Sequence, residues 1–347
     1  MEMKTYTPTE LPLKEIDWGV IVPLLGKAYQ TLAKFDAILK MVSHPEAVFF
    51  LLSVDEAKTS IYDETVKASL ETILCPQVFA KDQKKVQSVL NYHKGLLYAM
   101  KAKAKKTITN DFLLELHRYV KNKEMNKAEL GRFRNRQNWI GPEGSPIEQG
   151  RFIPPRASLV LTSMKNLQAY LTYPEKDHLI QLAIYFAQLL VIHPFMDGNG
   201  RIARILVPLF LASKKLISHP LFYLSAYFRK HYDAYFNHLF NISTKNAWEE
   251  WIVFFLKGII EQGEKNCKKA ENLAQLYMKW MQKLTHFLSP QEAQRSLEFL
   301  FENPVFEKRA FAAHSRLSMA NQEKVLEVLK IREYRKKMVC QTILSVV

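Results

Sequence analysis

Along most of the chain, apolar residues recur three and four positions apart, as in Phe112, Leu113, Leu116 and Val120, or Leu179, Leu182, Ala183, Phe186, Leu189 and Leu190. That spacing gathers them on one face of an α-helix and does not fit the two-residue alternation of a strand. It predicts a mainly helical, all-α protein with helices over residues 23–42, 45–53, 55–74, 82–105, 110–121, 158–171, 177–192, 201–211 and 224–239, and another beyond Trp248. The opening segment to about Ile16, with Pro8 and Pro12, reads as an extended arm. One interval breaks the period. Gly131, Gly141, Pro142, Gly144, Pro146, Gly150, Pro154 and Pro155 crowd together there, and such a density of turn formers excludes a helix interior. Trp139-Ile140 and Arg151-Phe152-Ile153 flank the tightest part of it, which reads as a small β-hairpin flap.

Composition narrows the classes. With 347 residues, 48% of them apolar, the chain can bury full cores. Its longest apolar runs, 47–54 and 205–212, fall well short of the roughly 20 residues a membrane helix needs. No membrane span is expected. The N-terminus has no apolar stretch behind a basic start, so a secretory signal is not expected, although a signal read by another export machinery would not be visible. Cys75, Cys267 and Cys340 are odd in number and far apart, so neither a disulfide framework nor a cysteine metal site is indicated. A reducing, cytoplasmic setting fits, with delivery elsewhere as an effector left open.

The formal net charge of +15 favours acidic partners, whether nucleotides, nucleic acid, acidic proteins or an anionic surface. Beyond about Glu261 the chain turns Lys-rich, and a domain change is expected there. We divide the sequence into an N-terminal helical region (1–104), a core (105–262) and a basic C-terminal domain (263–347). Three short helical patterns after Ser296 with tight connections are compatible with a winged helix-turn-helix. In that reading Ser318 to Lys324 would open a recognition helix, and Arg332, Arg335, Lys336 and Lys337 would meet phosphates of DNA or another acidic partner.

One short run concentrates the chemistry. Gly198-Asn199-Gly200 lies between an apolar helix ending near Ile192 and a helix beginning near Arg201. Two glycines permit positive φ, and successive N–H groups at a helix N-terminus make a concave anion site. Asp197 beside it is a hard oxygen ligand, suited to a Mg²⁺ ion that bridges nucleotide phosphates. Arg201 and Arg204, three apart, share a face of the first turn and can reach phosphate oxygens. His193 precedes Asp197 by four, and Pro194 favours a helix end there. An imidazole at that place can accept a proton from an attacking hydroxyl.

The run His193-Pro194-Phe195-Met196-Asp197-Gly198-Asn199-Gly200-Arg201-Ile202-Ala203-Arg204 resembles the Fic signature HPFxDGNGRxxR at every position assigned a role. The likeness extends through 113–117, Gly131-Arg132-Phe133-Arg134, 137–141, 152–155 and 223–228, and covers about residues 5 to 260. It implies the Fic fold and a protein adenylyltransferase that transfers AMP from Mg-ATP to a Ser, Thr or Tyr hydroxyl of a target protein, or of itself. His193 would be the general base, Asp197 the Mg²⁺ ligand, Gly198, Asn199 and Gly200 the anion hole, and Arg201 and Arg204 the holders of the outer phosphates.

Fic proteins of one class carry an inhibitory [ST]xxxE[GN] helix, and Ser60 to Thr65 is similar to it, with Thr65 departing from Gly or Asn. The resemblance therefore implies that Glu64, one turn from Ser60, pairs with Arg204 and restrains the enzyme. It implies too that the flap, through Ile140, Gly141, Arg151 and Phe152, docks an extended target by strand addition. Tyr227 and Tyr235, with His231 between them at four-residue spacing, are candidates for an adenine pocket, and core packing explains the tyrosines equally well. Two other readings stay open: removal of AMP from a modified protein on the same fold, and a DNA-associated regulator with the core as nucleotide sensor. A homodimer is also allowed for.

Overall fold

The computed structural model describes residues 5–61, 69–80, 86–102, 108–141, 146–334 and 336–346. Glu64 and Thr65, the flap tip 142–145 and Arg335 lie outside these. The chain is helical almost throughout. In order come α1 (Trp18–Leu39), α2 (Pro45–Val48), α3 (Phe50–Thr59), α4 (Leu70–Leu74), α5 (Pro76–Phe79), α6 (Gln87–Ala102) and α7 (Asn110–Val120). They are followed by α8 (Ala157–Tyr170), α9 (His178–Ile192), α10 (Asn199–Ser213), α11 (Ser225–Lys230), α12 (Tyr232–Lys245) and α13 (Trp248–Thr285). The remainder comprises α14 (Pro290–Glu302), β1 (Val305–Phe306), α15 (Lys308–Ser315), α16 (Met319–Val328), β2 (Arg332–Tyr334), β3 (Lys337–Val339) and α17 (Gln341–Leu344).

Two compact units divide the chain: one of residues 1–32 and 91–263, the other of residues 33–90 and 264–347. The first is built around α9, whose residues from Leu179 to Ile192 are all buried. A helix apolar on every side must be enclosed by others. Here α8, α10 and α12 pack against it, and Trp251 Nε1 donates to the Ala183 carbonyl at 2.8 Å. Each buried Leu or Ile of α9 contributes roughly 1.5–3 kcal/mol of burial free energy. Its start is set by Asp177, whose carboxylate accepts from the N–H groups of Leu179 (2.7 Å) and Ile180 (3.1 Å), two donors a helix leaves unpaired. Thr109 caps α7 in the same way through Phe112 N–H.

The N-terminal arm is extended, as its prolines imply. Tyr6 N–H donates to Ile153 O at 3.1 Å, Gln188 Nε2 to Thr9 O at 2.6 Å, and Asn166 exchanges two hydrogen bonds with the backbone of Leu11. Ile140 and Phe152 form a single antiparallel bridge, with a 3₁₀ turn at Ile147–Gln149.

In the second unit α14 packs on α2, α3 and α15. The three strands form an antiparallel sheet in the order β1-β3-β2, with Val305 opposite Val339 and Glu333 opposite Met338. Cys75, Cys267 and Cys340 are free and buried. Among the described residues no helix is long and apolar enough to cross a membrane.

Several boundaries differ from the sequence expectation. The helices expected over 45–53 and 55–74 are instead α2, α3 and α4, with a break at Phe49 (φ −97°, ψ 11°) and α3 running through the expected gap at Val54. α1 starts at Trp18, before Pro23, because the Asp17 carboxylate accepts from Gly19 N–H at 2.8 Å and begins the helix a turn earlier. The single helix expected over 224–239 is two, broken at His231 (φ −107°, ψ 39°). α13 runs unbroken past Glu261, where the composition changes, and the division between the two units falls inside it.

Candidate functional site

The connection from α9 to α10 is short and tightly held. α9 ends on His193 in the left-handed region (φ 51°, ψ 59°), which turns the chain sharply and which a non-glycine residue adopts only when its surroundings fix it. What fixes it is Arg134. Its Nε donates to His193 O (2.8 Å), its Nη2 to Pro155 O (2.5 Å) and Ile192 O (3.3 Å), and its Nη1 to Arg136 O (3.2 Å). Its own backbone N–H donates to Pro194 O at 2.8 Å. A guanidinium with five donors thus occupies the carbonyl end of α9, where a cation is favoured. Burial lowers the Arg134 pKa to about 10, which still leaves it charged at neutral pH.

The middle of the connection is tied by Asn199. Its Oδ1 accepts from Phe195 N–H and its Nδ2 donates to Phe195 O, both at 2.9 Å, and Asn138 Nδ2 donates to the same oxygen at 3.1 Å. The Asn199 side chain therefore braces the loop, and what it offers an anion is its backbone N–H. The Phe195 ring stacks on His117, with centroids 4.2 Å apart. His117 is fully buried, accepts from Gly131 N–H at Nδ1 (2.9 Å) and lies 3.1 Å from Asp197 O at Nε2. The proton must then sit on Nε2 and be donated to that carbonyl. Burial holds its pKa down, to about 4.

α10 begins beyond Gly198, whose φ of +88° is the conformation that favours glycine. A Cβ there would also lie 3.1 Å from Lys121 Cγ. At Gly200 a Cβ would fall 3.0 Å from Arg204 Nη1, so the absence of a side chain lets the buried Arg204 guanidinium lie close against the helix start. The first N–H groups of α10, on Asn199, Gly200 and Arg201, have no carbonyl one turn behind them. They make a turn of N–H donors at the positive end of the helix, a cradle suited to an anion.

Around the cradle lies a charge network. Asp197 Oδ1 accepts from Gly198 N–H at 2.5 Å; its Oδ2 is 2.5 Å from Lys121 Nζ and 3.7 Å from Arg201 Nη2. Lys121 also contacts Glu124 (3.1 Å), and Arg201 Nη1 lies 3.0 Å from the same Glu124 oxygen and 3.3 Å from Val120 O. Asn91 Nδ2 completes the shell of Glu124 at 2.8 Å. Desolvation is the largest single influence on Asp197 and raises its pKa. Lys121, Arg201 and the Gly198 N–H together outweigh it, so the carboxyl stays ionised, below the usual range. Glu124 behaves alike: burial pushes up, and Arg201, Lys121 and Asn91 bring it below its ordinary value.

His193 Nδ1 is 3.3 Å from Leu190 O, an acceptor only, so Nδ1 carries the proton and Nε2 keeps a lone pair. Desolvation lowers its pKa to about 4, with a smaller contribution from Arg134. At neutral pH it is an unprotonated imidazole, able to accept a proton.

His193, Asp197, Gly198, Asn199, Gly200, Arg201 and Arg204 are thus brought together by one loop and one helical turn. Tyr227 and Tyr235 sit in an aromatic core with Phe228, Trp251 and Phe254, 3% and 2% exposed, and the Tyr227 hydroxyl donates to Phe254 O at 3.2 Å. Packing is their visible role, and it leaves them no open face for an adenine. Gly141 and Arg151 are exposed at the flap, with Ile140 and Phe152 half-buried. Ser60 is buried at the C-terminus of α3, where its hydroxyl donates to Ala57 O at 3.0 Å. Glu64 falls outside the described residues. The sequence reading missed Lys121, Glu124, Arg134 and Asn138 as members of the site. The available signal was the family likeness of Gly131-Arg132-Phe133-Arg134 and 137–141, which contains Arg134 and Asn138.

Comparison with known proteins follows from this geometry. Residues 107–211 match the model of the Fic/DOC family. Over 107 residues the chain is 33% identical to protein adenylyltransferase fic-1 of Caenorhabditis elegans and 31% identical to its counterpart in Caenorhabditis briggsae, in each case 30% of this chain. The matched stretch covers only 19% of each of those proteins, so the chain spans about a fifth of the length of the curated relatives it matches. Among solved structures, a Fic family protein from Desulfovibrio desulfuricans G20 superposes with a TM-score of 0.60 at 16% identity, over 95% of this chain and 94% of that one. Residues 134–508 of C. elegans Fic-1 give 0.51 at 20% identity over 72% of each chain. At these identities the structural likeness speaks for the fold.

Proposed function

This is a Fic-family protein, its Fic/DOC domain spanning residues 107–211, and from that premise we propose that it is a protein adenylyltransferase transferring AMP from ATP to a hydroxyl side chain of a protein. One observation carries the reading: a neutral imidazole at the end of α9 is held, by a loop braced at both ends, beside the first turn of N–H donors at the start of α10.

The residues suit a metal-bound nucleotide. Asp197 is ionised with its side chain 61% exposed, it borders the N–H cradle, and the glycines keep that cradle open. Mg²⁺, when bound, supplies positive charge to the phosphates, and Asp197 is the residue that would hold it. The N–H groups of Asn199, Gly200 and Arg201 receive phosphate oxygens, and Arg204 adds a buried guanidinium beside Gly200. His193 Nε2 takes the proton as the target hydroxyl oxygen attacks the α-phosphorus. The bond to the bridging oxygen breaks, and pyrophosphate leaves with its electron pair. Catalysis then rests on placement and charge neutralisation. The Ile140–Phe152 bridge, flanked by the exposed Gly141 and Arg151, supports docking of the target as an added strand.

Incubation with labelled ATP and intact-mass analysis of the protein and its targets tests the reading. AMP addition is expected from the wild type and not from His193→Ala. Wild-type transfer by that variant would remove His193 as base. Net release of AMP from a pre-modified target, without transfer, would shift the function to AMP removal.

We propose further that Glu64 restrains the enzyme by competing with a nucleotide phosphate for Arg204, on the strength of the Ser60–Glu64 spacing and of the burial of Arg204 beside the cradle. Glu64→Gly should raise transfer, and the gain should vanish in an Arg204→Ala background. Equal rates for wild type and Glu64→Gly would dismiss the restraint. A second role, binding of DNA through residues 290–346, is favoured by the order helix, strand, two helices and a strand pair, with Met319, Lys324 and Arg332 exposed. Lys337 is engaged with Glu307 at 2.6 Å. A gel shift at two salt concentrations tests it.

A further inference from the structure

Asp197 already has a cation of its own. Lys121, one residue beyond α7, lies with its stem along Gly198 and its side chain only 5% exposed, and it presents Nζ to Asp197 Oδ2 at 2.5 Å. This is a short charge-assisted contact to the carboxylate whose other oxygen accepts from Gly198 N–H, made by a residue outside the signature. The same ammonium is held from behind by Glu124 at 3.1 Å, which Arg201 holds in turn. Two carboxylates and two cations therefore cancel. A divalent ion approaching Asp197 finds no net negative charge to draw it and an ammonium in the place it must take, and like charges so close repel strongly.

We propose that Lys121 is a tethered counter-ion of Asp197 that competes with the divalent metal, so that metal binds weakly to the nucleotide-free protein and enters only with the charge of the nucleotide's phosphates. Lys121 then turns from the carboxylate to those phosphates, for which an ammonium on a flexible stem is suited. The inference rests on the nucleotide-binding reading above and adds to it a residue that couples metal entry to nucleotide entry. Mg²⁺ keeps its waters reluctantly exchanged and relies on few protein ligands plus substrate phosphates, so a small change in the charge around one carboxylate decides whether it binds.

The test is Mn²⁺ binding to the full chain without nucleotide, read from the loss of the free-ion electron paramagnetic resonance signal. Lys121→Met should bind Mn²⁺ about ten- to a hundredfold more tightly than the wild type, the range that outer-shell partners of metal ligands command. Lys121→Gln, which keeps length and polarity in a buried position, should show the same direction and guards against a failure of the first variant to fold. Asp197→Asn added to either should abolish the gain. Equal affinity in wild type and both variants, no Mn²⁺ binding by any of them, or a gain that survives Asp197→Asn would each overturn the proposal. AMP transfer measured on the same wild-type preparation separates the two failures. Transfer with unchanged Mn²⁺ affinity sinks the counter-ion role alone, whereas absence of transfer sinks the enzymatic reading and leaves the metal competition to be judged on its own signal.

Discussion

Replacing Arg134 by methionine tests whether the left-handed end of α9 is held from outside the signature. The substitution keeps a long apolar stem but removes four guanidinium contacts, to His193, Ile192, Pro155 and Arg136 carbonyls. Arg134 is 4% exposed, so water does not simply replace those donors. Hydrogen bonds to a charged group are worth roughly 1.5–3 kcal/mol each, and they are not additive within one side chain. Leaving a buried carbonyl without its donor costs roughly 1–3 kcal/mol, and with four such acceptors partly relaxing about 3–5 kcal/mol is the loss we expect. For a domain of roughly 150–250 residues it corresponds to a midpoint lower by roughly 6–20 °C, at roughly 2–4 °C per kcal/mol. Arg134→Lys retains the charge but has no planar fork, reaches fewer carbonyls at once and should fall between the two. Differential scanning calorimetry reads the midpoints, and AMP transfer by whatever fraction remains folded reads the placement of His193. A drop below about 2 °C, or a lysine variant no better than methionine, would show that the turn holds itself and that the bracing argument is wrong.

Gly198→Ala should lower stability by roughly 1–2 kcal/mol from the left-handed backbone alone, more with the Cβ 3.1 Å from Lys121 Cγ, and should reduce transfer out of proportion to the folded fraction. A variant as active and as stable as wild type would contradict the positive-φ requirement. Acidification should weaken the fold as pH falls from about 6.5 towards 4, because His93, His117 and His193 each have a folded pKa held down to about 4 by burial and must take up protons on unfolding. The stability these groups contribute is fully present above their unfolded pKa. Urea titrations across that range should show a shallower slope for His117→Gln; an identical slope would mean that His117 is not a buried neutral group.

Much of the fold was legible because helices announce themselves locally. The apolar face of α9, its Asp177 cap and the terminating His193-Pro194 are all written between positions 177 and 194, and the helix falls at 178–192 against the expected 177–192. The signature was equally local: seven of the residues assigned to the nucleotide lie between His193 and Arg204. What could not be read are contacts between positions far apart in sequence. Arg134 reaches His193 across 59 residues, Lys121 reaches Asp197 across 76 and His117 reaches the same residue across 80. No periodicity encodes such pairings. Tyr227 and Tyr235 illustrate the opposite limit, since four-residue spacing records a shared helical face and says nothing of whether that face meets a ligand or, as here, Phe228, Trp251 and Phe254. The break at His231 was missed for a related reason: the apolar period continues through it, while the backbone does not.

These distances bear on what a signature match can carry. Of the residues between His193 and Arg204, Asn199 spends its side chain on Phe195, and His193 owes its backbone to Arg134; Asp197 is held at its carbonyl by His117 and at its carboxylate by Lys121. In the proposed reading the twelve-residue run specifies which groups would meet the nucleotide, and α7 together with residues 131–138 specifies where they stand. A chain with the run intact and Arg134, His117 or Asn138 changed would keep every reacting group and lose its placement, and misplacement of about 1 Å can cost on the order of a hundredfold in rate. It follows that the chemistry of this site is best judged on the run and its braces together. Lys121 belongs to that second layer by position, yet its ammonium lies at the reacting charge itself, so changes there should alter which cation the site accepts before they alter whether the loop folds.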